Sequence, residues 1–164
     1  MALISILGGG ESGVGAALLA KSKGFDVFLS DAGTLKENYQ QTLRENEIEF
    51  ETGGHSLERI LGSQEIIISP GIPEKTDIVK AIKAKDISLV SEIEFAARYT
   101  KAKIVAITGS NGKTTTTLLT YHFLQSAGLK VGLAGNIGQS FAKQVMEDLH
   151  DVYVLEISSF QLDR

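Results

Sequence analysis

The sequence predicts an α/β fold: a doubly wound parallel sheet followed by the start of a second α/β unit. Three observations carry this expectation. Short apolar runs alternate with stretches whose apolar residues recur every three or four positions, the pattern of buried parallel strands joined by helices. Two of those runs pass directly into a glycine-rich turn and then into a helix. Seventeen glycines against two prolines suit many tight strand-to-helix turns.

Leu3–Leu7 is the first strand. It runs into Gly8-Gly9-Gly10-Glu11-Ser12-Gly13, which satisfies GxGxxG at Gly8, Gly10 and Gly13. A helix follows, with Val14, Ala17 and Leu18 on one face and Gly24 as its cap. Asp26–Ser30 is the second strand, and Asp31 stands at its C-terminal end, about 20 residues past the turn. This is a Rossmann-like mononucleotide-binding layout, in which the acid meets a ribose or a base. Taken alone it reads as an NAD site, although the geometry serves any pyrophosphate.

Leu35, Tyr39 and Leu43 mark a helix, Ile48–Thr52 a third strand, and Leu57, Ile60 and Leu61 a brief helix. Glu65–Ser69 is an apolar strand ending at Ser69-Pro70-Gly71-Ile72. Pro70 cannot continue a central strand, so Ser69 and Gly71 fall on the sheet edge that carries the first glycine turn. Ile78, Val79 and Ile82 mark the next helix, and Ile87–Val90 a fifth strand. Ser91-Glu92-Ile93-Glu94 has capping-box form, which makes Glu92 and Glu94 helix-start charges on a helix running to about Thr100. Residues 1–98 then form a first domain, and a fresh strand start opens the second, 99–164.

The second unit is organised around Lys103–Thr116, KIVAITGSNGKTTT. Ile104–Ile107 reads as a buried strand, and Gly109, Ser110, Asn111 and Gly112 break it before Lys113 and Thr114 open a helix. Glycines there let backbone N–H groups approach phosphate oxygens at the positive end of a helix. Lys113 can reach terminal phosphates, and the Thr114 hydroxyl can ligate Mg²⁺. The turn is shorter than the general GxxxxGK[ST] pattern, since Ile107 stands where that pattern has its first glycine. The helix continues to Ala127, with Leu118, Leu119, Phe123 and Leu124 expected inward. Lys130–Ala134 is a strand closed by Gly135-Asn136-Ile137-Gly138, and Phe141, Val145 and Leu149 form a helical stripe. Val152–Leu155 is a buried strand ending in Glu156. Beside a phosphate loop, that acid resembles a Walker B metal ligand; the alternative is an acid in an ordinary strand-to-helix turn.

GGGESG at 8–13, SPGI at 69–72, ITGSNGKTT at 107–115, AGNIG at 134–138 and LEISSFQL at 155–162 together resemble the Mur ligase family, in that family's order. LEISSFQL after GNIG points to the members that add D-glutamate. The resemblance implies an ATP-dependent ligase of peptidoglycan precursor synthesis, acting in cell wall biogenesis and cell division. Its substrates would be UDP-N-acetylmuramoyl-L-alanine, D-glutamate and ATP, with Mg²⁺, and its product would form through an acyl phosphate. It implies that Gly10, Ser12 and Gly13 seat a UDP-sugar pyrophosphate and that Asp31 accepts from uracil. Ser69 and Gly71 would contact the pyrophosphate or lactoyl region, and Asn136, Ser158 and Gln161 the muramoyl sugar. The 109–114 turn and Thr115 would hold ATP; Lys113 and Glu156 would be catalytic, with Thr114 and Glu156 on the metal. Ala32 and Gly33 depart from the polar residues relatives carry after the acid. The chain would supply only the first domain and the opening of the second, a fragment inactive alone whose C-terminal third is poorly stable by itself.

Composition bounds the rest. A content of 43% hydrophobic and 22% charged residues is that of an ordinary globular chain. A net charge of −4 offers no basic footprint, so no nucleic-acid partner is expected. The absence of cysteine excludes disulfides and thiolate metal sites and suits the cytoplasm. MALISILGGGE carries no basic leader, and its apolar run is too short to span a bilayer. A monomer is expected. His55, His122 and His150 are not at metal-ligand spacing; His55 reads as solvated and His122 as structural. The tyrosines read as packing residues. Two rival readings remain: an NAD(P)-binding oxidoreductase, which leaves GSNGKTT idle, and a non-catalytic P-loop nucleotide-binding module, which needs neither SPGI nor SSFQ.

Overall fold

The computed structural model of the chain describes residues 2–158 and Gln161. Its first sheet is parallel. Strands β1 (Leu3–Leu7), β2 (Asp26–Asp31), β3 (Glu49–Thr52), β4 (Glu65–Ile68) and β5 (Ser88–Ser91) lie in the order β3-β2-β1-β4-β5. Helices α1 (Glu11–Ser22), α2 (Glu37–Glu45), α3 (Leu57–Leu61) and α4 (Asp77–Ala84) connect them, and α5 (Glu92–Ala97) follows β5. The chain winds outward from β1 to β3 and returns on the other side at β4. The switch point therefore lies between β1 and β4, the place where ligands bind in open α/β sheets. Ile6 and Leu7 of β1 and Ile66, Ile67 and Ile68 of β4 are buried on both faces, so these strands read as continuous apolar runs.

The second sheet is also parallel, with β6 (Lys103–Ile107), β7 (Val131–Gly135) and β8 (Val152–Glu156) in the order β6-β8-β7. Helices α6 (Lys113–Ser126) and α7 (Phe141–Glu147) connect them. β8 pairs on both sides and is wholly buried. Among the described residues β6 pairs with β8 alone and leaves Ile104 exposed, so the run expected as a buried strand is an edge strand.

Two other expectations fail in this unit. Thr117 is the buried residue of α6, while Leu118, Leu119 and Phe123 are exposed, Phe123 at 63%, and Leu124 is half-buried. Three strands form a floor too narrow to take the apolar side of a helix this long. Helix α7 ends at Glu147, where Asp148 turns into the left-handed region (φ 49°), and Leu149 is exposed instead of completing the stripe. Helix α5 likewise ends at Ala97, short of Thr100.

The two sheets share one core. Every residue of α1 from Gly13 to Ala20 is buried, not the single face expected, because α1 lies between its own sheet and α7. A helix apolar all round is one packed on more than one side. Val14, Leu18 and Phe95 join Phe141, Val145, Tyr153 and Leu155 in one continuous cluster. Each such side chain contributes about 1.5–3 kcal/mol on burial. At Gly15 an added Cβ would lie 1.9 Å from Ser140 Oγ, so the glycine sets how closely the helices approach. Tyr153 packs edge-on against Phe141 and donates to the Gln144 carbonyl at 3.1 Å; burial pushes its phenol up to about 12.

Candidate functional site

The switch point brings GGGESG and SPGI together. Gly8 leaves β1 at φ +94°, and Ser69, just past β4, donates from Oγ to the Gly8 carbonyl at 3.3 Å. Gly13 tolerates no side chain, since a Cβ there would stand 1.8 Å from the same carbonyl. Gly10 is the N-cap of α1, with no side-chain cap, and Val14 N–H closes the first turn on the Gly10 carbonyl at 3.0 Å. The N–H groups of Glu11, Ser12 and Gly13 precede that bond in the orphan first turn that suits an anion. Asp31 accepts from Gly9 N–H through one oxygen and from Gly33 N–H, at 2.7 Å, through the other. It therefore shapes the turn as well as facing the ligand edge.

A cavity of about 430 Å³ opens beside this turn, lined by Gly8, Asp31, His55, Gly71, Ile72 and Thr76 among others. His55 is half-buried, not solvated: its Nδ1 lies 2.6 Å from Ser30 Oγ. Ser30 also donates to Glu51 Oε1 at 2.6 Å, and Glu51 accepts from the Ser56 N–H and hydroxyl. Burial opposes charge on Glu51, but the bonds from Ser30 and Ser56 and the nearby His55 outweigh it and hold its pKa below the ordinary carboxylate value. His122, expected as structural, is exposed.

The second glycine turn joins β6 to α6. Gly112 caps α6 at φ +74°, a left-handed conformation that glycine adopts without strain. Thr116 N–H closes the first turn on the Gly112 carbonyl at 2.9 Å, so the N–H groups of Lys113, Thr114 and Thr115 fall in the orphan first turn. Gly109, Ser110 and Asn111 are exposed, and Lys113 folds back to donate from Nζ to the Gly109 carbonyl at 2.8 Å. The ammonium thus sits at the rim of its own loop.

Glu156 ends the central strand β8 in register with Ile107 and Gly135, and Asn136 N–H donates to its carbonyl at 2.9 Å. Glu156 is 5% exposed, and among the described residues its Oε2 has no hydrogen-bond partner. A buried carboxylate oxygen without a partner is costly unless a cation or donor reaches it. At a sheet edge beside a phosphate loop it therefore fits Mg²⁺, which is held through carboxylates plus phosphate oxygens and waters. Among the described residues no group of three acidic, histidine or cysteine side chains forms a metal cluster. Ser158 donates from its N–H and its hydroxyl to Gln161 Oε1 at 2.9 and 3.0 Å. Ser159, Phe160 and Leu162 of the same motif lie outside the described residues.

Three residues missed in the sequence tie the units together. Ser140, the N-cap of α7, donates its hydroxyl to Glu92 Oε1 at 2.7 Å and its N–H to Glu11 Oε1 at 3.1 Å. Ala142 N–H donates to the same Glu92 oxygen at 2.8 Å. Glu92 is thus the first-turn acid expected of α5 and, beyond that, a buried acid capping a helix of the other unit. Burial pushes its pKa up, only partly offset by these bonds and by one from the Phe141 N–H, and Glu11 adds repulsion. The contacts set Ser140, two residues past the AGNIG turn, against the start of α1.

The family model described as the MurD N-terminal domain matches residues 3–78, and the Mur ligase middle domain model matches 107–164. The chain belongs to the Mur ligase family. The UDP-N-acetylmuramoylalanine–D-glutamate ligase of Cytophaga hutchinsonii is 59% identical over 162 residues, covering 98% of this chain and 36% of that protein. The ligase of the same name from Bacteroides fragilis is 55% identical, with 99% and 37% covered. The chain thus spans little more than a third of the length of these Mur ligase relatives. Among solved structures, a pseudomurein peptide ligase type C from Methanothermus fervidus matches with a TM-score of 0.59 at 32% identity, over 97% of this chain and 33% of that one. The Neisseria meningitides ligase described as UDP-N-acetylmuramate:L-alanyl-gamma-D-glutamyl-meso-diaminopimelate ligase matches with a TM-score of 0.61 at 23% identity, over 95% and 52%, a likeness of fold. The two Mur ligase models leave 79–106 between them, which holds most of α4 and all of β5 and α5.

His55 and Glu11 lie in this Mur ligase chain where local patterns give no warning. A signal existed for Glu92 alone: Val90 and Phe95 flank the capping box as a staple, and the acid between them enters a buried helix start.

Proposed function

We propose that the chain is the UDP-sugar-seating domain, 1–98, and the opening of the ATP-binding domain, 99–164, of a cytoplasmic ligase that joins D-glutamate to UDP-N-acetylmuramoyl-L-alanine. The observation that carries this is the pairing of two glycine turns, each at the C-terminal edge of a parallel sheet, in a Mur ligase chain. The β1–β4 turn takes the nucleotide-sugar pyrophosphate on the N–H groups of Gly10, Ser12 and Gly13, with Ser69 and Gly71 beside it. Asp31 faces the nucleoside. Ser140, just past the AGNIG turn, meets Glu11 at the start of α1, which supports Asn136 reaching toward the sugar together with Ser158 and Gln161.

The 109–115 turn takes the ATP phosphates on its N–H groups. Lys113 swings from the Gly109 carbonyl to the terminal phosphates. Thr114 and Glu156 would hold Mg²⁺, which when bound neutralises charge on the transferring phosphoryl group. Positioning and charge neutralisation let the substrate carboxylate take the γ-phosphoryl group, giving an acyl phosphate and ADP; the D-glutamate amine then displaces phosphate. The chain spans little more than a third of the relatives' length, and the reading assigns it no D-glutamate-binding residue.

Calorimetric titration of the 164-residue chain with UDP-N-acetylmuramoyl-L-alanine, UMP, NADH and Mg-ATP tests the reading. Binding of the muramoyl nucleotide in preference to UMP, with no NADH binding, is expected. NADH binding without muramoyl-nucleotide binding overturns it in favour of an oxidoreductase.

A further inference from the structure

The cavity beside Asp31 is walled by apolar side chains such as Ile72 and Ile78, with Asp31, His55, Thr76 and Asp77 as polar groups. The tautomer of the neutral His55 ring follows from its neighbours. Glu51 is held ionised and can only accept, and Ser30 has a single proton, so that proton lies toward Glu51 Oε1 at 2.6 Å. The Ser30 oxygen can then face His55 Nδ1, also at 2.6 Å, only as an acceptor. A neutral imidazole carries one N–H, so Nδ1 holds it and Nε2 is left with a lone pair. The Ser56 N–H and hydroxyl on Glu51 fix the far end of this chain of bonds.

The cavity therefore presents acceptors. The Asp31 oxygens hold Gly9 and Gly33 and can only accept, Asp77 at the rim is ion-paired with Lys80 at 3.1 Å, and the neutral His55 ring adds an acceptor through Nε2. A ligand end entering here must bring hydrogen-bond donors and leave its phosphates at the glycine turn. A uridine does both, through its ring N–H and its ribose hydroxyls.

We propose that His55 is a specificity residue for the nucleoside end of the nucleotide sugar: Ser30 and Glu51 hold its proton on Nδ1, and its Nε2 accepts from a uridine ring N–H or ribose hydroxyl. The proposal rests on the nucleotide-sugar reading above and adds to it a residue that the sequence leaves in solvent.

The test uses the 164-residue chain, with UDP, 2′-deoxy-UDP, 3′-deoxy-UDP and N3-methyl-UDP as probes. Nitrogen-15 NMR of His55 should show the Nδ1–H tautomer in the free chain and a shift of Nε2 on adding UDP. By calorimetry, one of the donor-lacking analogues should bind the wild-type chain about tenfold more weakly than UDP, the worth of one hydrogen bond. His55→Phe should bind UDP about tenfold more weakly and show no further penalty for that analogue. His55→Gln serves the same comparison if circular dichroism shows His55→Phe unfolded. An Nε2–H tautomer, or UDP binding undiminished in both variants, overturns the proposal and leaves the nucleotide-sugar reading standing. No UDP binding by the wild-type chain overturns both.

Discussion

Glu92 of α5 accepts the Ser140 hydroxyl of α7 at 2.7 Å, and this bond crosses between the two sheets. Truncating the acid leaves the Ser140 hydroxyl and the Ala142 N–H buried without their acceptor. Glu92→Ala should cost about 1–3 kcal/mol, read from urea unfolding. The pH dependence has a defined sign. The native pKa of Glu92 is raised, so between its ordinary and its raised value the folded chain holds more protons than the unfolded one. Its contribution is most favourable below the ordinary carboxylate pKa and is lost as pH rises through the native value. The stability of wild type relative to Glu92→Gln should therefore fall with rising pH across that window. A flat or rising difference would contradict the buried charge.

Gly15→Ala places a methyl group 1.9 Å from Ser140 Oγ, an atom already held by Glu92 and by the Lys143 N–H. The expected cost is about 1–3 kcal/mol. Hydrogen exchange should locate the loss: β7, α7 and β8 should exchange faster, while β2 and β3 change little. Equal loosening of all strands would mean that α1 does not set the junction.

Lys113→Ala removes one exposed bond, to the Gly109 carbonyl, so thermal unfolding should shift by no more than about 0.5 kcal/mol. Mg-ATP affinity should drop at least tenfold by calorimetry. On the proposed assignment, ligase turnover of the complete enzyme should also disappear; retained turnover would remove Lys113 from the phosphate site.

The bare side of α6 predicts self-association. Leu119 and Phe123 are 51% and 63% exposed and lie one turn apart. The double change Leu119→Ser with Phe123→Ser should leave stability within about 0.5 kcal/mol. It should also lower the apparent mass by light scattering at high concentration. Unchanged scattering from a monomeric wild-type chain would show the patch to be harmless.

Much of this was legible in the chain. The strand runs, both glycine turns and SPGI carry short-range signals: β1, β2 and β4 fall within a residue or two of their expected bounds, and Ser69 meets Gly8 where the switch point requires. What escaped is long-range. Glu92 looks like any capping-box acid until α7 arrives to bury it, and His55 looks solvated until β2 supplies Ser30. Periodicity fails at α6 for the opposite reason, since an apolar stripe states what a helix could bury, not whether a partner is present. Leu149 continues the stripe of α7 by number, yet the left-handed turn at Asp148 takes it out of the helix.

The sandwiching of α1 between its sheet and α7 has a consequence for substrate length. Packed helices stand about 8–10 Å axis to axis. The first glycine turn sits at the head of one helix and the AGNIG turn at the head of the other. On the proposed assignment, one helix spacing becomes a built-in ruler between pyrophosphate and sugar. A bare nucleotide is too short to touch both marks, and a molecule that does touch both clamps the two sheets across their shared seam.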